Sequence, residues 1–237
     1  MTTKAQYRGG LLHYYESDTY ETTHVMAPVF GKEDFMGVAF DTTNLWGARD
    51  TAGGAETVVA DASGGHLSLA LTNTSEAQLA GWDWADQRTL SLDKQPCIEF
   101  RFRLSVLPTT GVIACLGLCG DHNAAVDTVA ESIWFRLDGA TGGLITVEHD
   151  DATTESSKVT TGLTLLATDW VIGRIECFSP TDIRFYLNGS RVASGTTFSG
   201  NGVPTLALQP VMRIGKESAG TPVGTMLVDY VKWWTKR

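Results

Sequence analysis

The chain has 237 residues, of which 43% are hydrophobic and 19% charged, with a formal net charge of −9. That length suits one large all-β unit, with enough core to need no disulfide staples. An acidic chain gains nothing from counterion release, which argues against nucleic acid as a partner. No run of about 18 apolar residues occurs, so no membrane-spanning helix is expected.

Met1 to Arg8 is polar and lacks the apolar run of a secretory signal, so folding in a reducing cytosol is expected. The first 33 residues read as an extended arm. Tyr7, Tyr14, Tyr15 and Tyr20 place four of the chain's six tyrosines there. Tyrosine offers wide contact area with a polar tip and is enriched at interfaces. With Arg8, these side chains are expected either to bind a partner or to pack on the chain's own body.

From Asp34 onward, period-two alternation dominates and helical spacing is nearly absent. Strands are expected at 56–61, 66–71, 97–104, 112–118, 132–137, 144–149 and 158–161. The second half adds 170–178, 182–187, 191–194, 206–214 and 226–234, with Gly, Asp, Asn or Pro between most of them. In Cys97-Ile-Glu-Phe-Arg-Phe-Arg-Leu104 the residues Ile98, Phe100, Phe102 and Leu104 share one face. Glu99, Arg101 and Arg103 stand on the other, which reads as a salt-bridged outer surface. Asn188-Gly189 predicts a type I′ hairpin turn, since both central residues need positive φ.

Trp82 and Trp84 share one face of an extended segment, and either grip a sugar ring or close an edge of the core. Adjacent Trp233 and Trp234 must face opposite ways, so one is core and the other touches a neighbouring segment or subunit. Cys97, Cys115, Cys119 and Cys177 fit no zinc spacing and read as buried free thiols. Glu148-His-Asp-Asp151 reads as a solvated hairpin tip, because consecutive strand residues cannot all face one ion.

Asp169-Trp-Val-Ile-Gly-Arg-Ile-Glu176, the stretch from Asp182 to Ala193, and Leu227-Val-Asp-Tyr-Val-Lys-Trp-Trp234 together resemble the concanavalin A-like lectin/glucanase (LamG-like) superfamily. The resemblance implies a two-sheet antiparallel jelly-roll sandwich over 34–237, preceded by the arm over 1–33. A closer likeness runs through Gln6-Tyr-Arg-Gly-Gly-Leu-Leu-His-Tyr-Tyr-Glu16, Ala85-Asp-Gln-Arg88, Pro108 and Glu131-Ser-Ile-Trp-Phe-Arg136. These pieces are similar to lectin-like virion proteins of tailed bacteriophages. That implies a capsid decoration or cement protein, bound to the major capsid protein and to itself as a trimer, on the capsid surface or tail. The alternative is a carbohydrate-binding module for host or mucus attachment.

Glucanases of this fold carry two glutamates and an aspartate alternating on one inner strand, so that all three enter one cleft. No such run occurs here, and the chain is therefore expected to have no catalytic residues and not to be an enzyme. Lectins of this fold hold calcium with Asp and Asn in a loop. Asp121, Asn123 and Asp127 could supply three oxygen ligands, making calcium the one cofactor considered.

Overall fold

The computed structural model describes residues 3–8, 11–37, 42, 45–200, 206–218 and 220–237. The strands in chain order begin with β1 (Thr3–Arg8), β2 (Leu11–Glu16), β3 (Thr22–Val25), β4 (Val29–Glu33) and β5 (Gly47–Ala48). Then come β6 (Ala55–Val58), β7 (Leu67–Ala70), β8 (Gln78–Asp83), β9 (Leu90–Ser91) and β10 (Cys97–Val106). Next are β11 (Val112–Cys119), β12 (Glu131–Asp138), β13 (Leu144–Asp151), β14 (Glu155–Thr164) and β15 (Val171–Ser179). The chain ends with β16 (Asp182–Leu187), β17 (Ser190–Val192), β18 (Ala207–Lys216) and β19 (Thr225–Thr235).

Two large antiparallel sheets face each other, as the alternating patterns require. The first runs β17-β16-β15-β10-β19-β7-β6, with β4 also paired to β19. The second runs β14-β13-β12-β11-β18-β8-β5, with β9 also paired to β18. Ile98, Phe100, Phe102 and Leu104 of β10 meet Val112, Ala114, Leu116 and Leu118 of β11 in one fully buried core. Each large side chain so buried contributes about 1.5–3 kcal/mol. The chain is thus an all-β sandwich of the concanavalin A-like jelly-roll type.

Asn188 and Gly189 have φ of 46° and 78°, and Leu187 pairs with Ser190 across them. Positive φ at both positions defines the expected I′ turn. All four cysteines are free and buried. Trp233 packs on the main core, while Trp234 turns outward onto Val25 and His13 of the arm.

The arm departs from the expectation of an extended segment over 1–33, of which 1, 2, 9 and 10 lie outside the described residues. β1, β2 and β3 form their own antiparallel sheet, laid on the outer face of the first large sheet. β4 belongs to the sandwich itself, pairing Val29–Glu33 with the last residues of β19. Gly31 is required there, because a Cβ would stand 2.2 Å from the Trp233 ring.

A polar network fastens the arm. Glu99, read as a surface residue, is fully buried beneath Thr22. Its carboxylate accepts from Thr22 N at 3.0 Å, Thr22 Oγ1 at 2.7 Å and Tyr230 OH at 3.0 Å. Lys232 Nζ donates to Glu21 Oε1 at 2.6 Å and to the Thr22 carbonyl at 2.7 Å. A buried charge is tolerated only when paired and hydrogen-bonded, and here the arm supplies Thr22 and Glu21 while the sandwich supplies Tyr230 and Arg174.

Candidate functional site

Where the arm sheet meets β15 and β16, an open groove of about 430 Å³ remains. Tyr7, Tyr15, Tyr20, Phe178 and Tyr186 line it, with Gln6, Arg8, Glu176 and Arg184 between them. Strand alternation places the floor. Glu176 pairs with Arg184 and Arg174 with Tyr186, so all four side chains leave the outer face together. Tyr20 sits at φ 63° over Gly189, where a Cβ would lie 2.4 Å from its ring carbon. The I′ hairpin turn is therefore also the seat of a groove tyrosine.

Cations hold the rings in place. Arg8 lies 5.4 Å from the Tyr15 ring centroid, Arg174 4.7 Å from Tyr186 and Arg184 4.4 Å from Phe178. Arg8 also approaches Glu176 at 3.6 Å and bonds Gln6 at 3.0 Å. Burial raises the Tyr186 hydroxyl pKa, with the Glu176 charge adding to it, so the phenol stays protonated and able to donate. Tyr7, Tyr20 and Phe178 are 73%, 43% and 40% exposed, enough for a ligand to meet their faces. Flat rings beside paired donors and acceptors suit a molecule with one apolar face and a rim of hydroxyls.

Four of the expected arm residues, Tyr7, Arg8, Tyr15 and Tyr20, therefore line one groove. Tyr14 does not; it stands on the opposite face of β2, 6.4 Å from the His24 ring. Phe178, Arg184, Tyr186 and Glu176 were missed, although outward aromatic and charged residues in adjacent strands could have marked them.

Trp82 and Trp84 are not a sugar platform. They are 7% and 3% exposed in the main core, and Trp84 meets Trp46 and Trp233 edge-on at 6.1 and 5.3 Å. A ring enclosed on both faces has none to offer a pyranose. Asp121, Asn123 and Asp127 are not assembled into a calcium site either. Asp121 pairs with Arg88 at 3.1 Å, Asn123 accepts from Ala125 N at 3.0 Å, and Asp127 bonds Arg136. Among the described residues no group of three or more His, Cys, Asp or Glu could hold a metal ion.

The segment 120–130 instead lies across the outer face of the second sheet. Val126 and Val129 pack on Cys115, Cys119, Trp134 and Val211, while Arg213 donates to the Asn123 carbonyl at 2.6 Å. Beneath it, Glu148 accepts from Trp134 Nε1 at 3.1 Å and Arg136 Nη1 at 3.2 Å. Glu148, His149 and Asp151 are buried, so the solvated hairpin tip expected there is corrected: neighbouring strands and the overlying segment cover it. Burial pushes the Glu148 pKa up, and the bond from Arg136 pulls that of Asp127 down. Both carboxylates bond the same Nη1, which brings them within about 6 Å of each other.

No protein-family model matches the chain, and no curated protein is similar to it in sequence. Its fold matches solved structures closely in extent. A β-1,3-glucanase from Mycobacterium marinum superposes with a TM-score of 0.62 at 14% identity, over 88% of this chain and 100% of that one. A structure from work on endo-acting O-glycanases of human gut microbiota that initiate mucin breakdown gives 0.61 at 13%, over 87% and 99%. A β-1,3-1,4-glucanase (lichenase) derived from a mouse hindgut metagenome gives 0.60 at 14%, over 87% and 99%. At such identities the likeness establishes the shared architecture.

These matches overturn one expectation. The lack of an alternating carboxylate run predicts no catalysis, yet the same two-sheet body serves in a β-1,3-glucanase and a β-1,3-1,4-glucanase. The exclusion is withdrawn.

Proposed function

We propose that the chain recognises a carbohydrate chain, held in the groove between the arm sheet and β15–β16. The observation that carries this reading is the groove's lining: five aromatic rings interleaved with Gln6, Arg8, Glu176 and Arg184. Pyranose rings stack their apolar faces on aromatic side chains, and vicinal hydroxyls bond forked guanidinium and carboxylate groups. Neighbours of this architecture act on glucans and mucin glycans, which supports the choice of saccharide as ligand.

The virion decoration role, with a capsid partner and a trimer, gains nothing from these matches.

Calorimetric titration with laminarin, lichenan and mucin O-glycans tests the reading. Saturable binding that weakens about tenfold or more in Tyr20→Ala and Tyr186→Ala supports it. Absence of binding to all three sinks it.

A second reading, cleavage of a glycan, is favoured by the β-glucanases that share this architecture. Release of reducing ends from laminarin or lichenan is its assay, and no release from either sinks it.

A further inference from the structure

A second cluster stands on the same outer face, beyond the groove. In β19 the register with β10 shifts between Arg101↔Tyr230 and Phe102↔Val228, leaving Asp229 as the extra residue of a bulge. Bulges re-aim side chains, and this one turns Asp229 onto two partners. Its carboxylate bonds Arg101 and lies 3.7 Å from His66 Nε2. The Trp170 ring is in contact with three of its neighbours. His66 is 4.9 Å away between centroids, and the guanidiniums of Arg101 and Arg103 lie 4.7 and 5.0 Å from the ring centre.

Asp229 neutralises Arg101, but Arg103 has no ion-pair partner among the described residues, and its buried Nε lacks a hydrogen-bond partner. Burial lowers the His66 pKa, and Arg103 and Arg101 lower it further against the pull of Asp229. The cluster therefore keeps one unpaired cation, on a chain whose net charge is −9. A guanidinium stacked on an indole is pre-oriented, and its fork matches an oxyanion with two oxygens.

We infer that Arg103, positioned by Trp170, binds the oxyanion of an acidic sugar, a uronate carboxylate or a sulfate ester. This rests on the carbohydrate reading of the groove and adds the ligand's charge class. Trp170 and Glu176 are six positions apart on an extended run, about 20 Å. The outward Ile172 and Arg174 between them are buried, so an oligosaccharide that reaches both sites spans that covered stretch of the face. The groove supplies stacking and hydroxyl contacts; Arg103 selects charge.

The test is calorimetric titration of the full chain with three oligosaccharides of matched length: a neutral β-glucan, an oligogalacturonide and a sulfated dextran fragment. The expected result is that at least one acidic ligand binds about tenfold tighter than the neutral one, with a preference that weakens as salt rises. Arg103→Gln removes that preference and leaves neutral binding unchanged, while Arg103→Lys keeps part of it. The acidic arm that gains more identifies carboxylate or sulfate as the source. Equal affinity for all three, or a preference that survives Arg103→Gln, overturns the inference while the carbohydrate reading stands. If no saccharide binds, the carbohydrate reading fails and this inference fails with it.

Discussion

Thr22 Oγ1 donates to Glu99 Oε2 at 2.7 Å, a bond between residues 77 positions apart that fastens the arm to the first large sheet. Thr22→Val keeps the shape and removes this donor from a buried carboxylate. A loss of about 1–3 kcal/mol is expected, seen as a lower urea midpoint at unchanged slope. An unchanged midpoint would mean that the arm is held by other contacts.

His13 makes the same docking sensitive to acid. It is buried edge-on against Trp234 at 5.3 Å. Burial, aided by Arg8, lowers its pKa from 6.5 to about 4. A depressed folded pKa means that stability is fully present above 6.5 and is lost as pH falls through about 4. Thermal midpoints between pH 7 and pH 4 should fall further for the native chain than for His13→Gln. Discounted for residual screening, the difference is on the order of 2 kcal/mol.

Gly189 joins fold and groove. Its φ of 78° and the Tyr20 ring packed against it both oppose a side chain. Gly189→Ala should cost about 1–2 kcal/mol and displace Tyr20, weakening saccharide binding more than the stability loss alone predicts. Titration at a temperature where both proteins are folded separates the two effects.

Arg136 is 1% exposed and bridges Glu148 and Asp127. Arg136→Met strands a buried carboxylate and should cost about 3–5 kcal/mol. Adding Glu148→Gln should recover much of that loss, so the double-mutant cycle returns a large coupling energy. Simple additivity would show that the pair does not act as a unit.

Trp84→Ala should destabilise the chain by about 3–5 kcal/mol, because it opens a cavity beside Trp46 and Trp233. Stability near that of the native chain, coupled with lost saccharide binding, would reinstate Trp84 as a ligand contact.

The strands were legible wherever alternation was strong. The segment 97–104 appears within β10, and Asn188-Gly189 forms its turn as expected. The groove was half legible. Tyrosine density marked Tyr7, Tyr15 and Tyr20, but nothing in the local pattern joined them to Phe178, Arg184 and Tyr186. Glu99 was misread for a related reason. Alternation places it off the core correctly, yet an outward position is not an exposed one when a second layer covers it.

Period-two patterning determined by itself that this chain would be a helix-poor sandwich, because inner and outer positions follow from neighbours on the same strand. Only the tertiary structure decided which outer faces carry a second layer and where the arm leaves a groove. Those outcomes depend on charges such as Glu99 and Lys232 finding partners some 77 and 210 residues away. Burying a charge is unfavourable until those partners arrive, and no local pattern records where they come from.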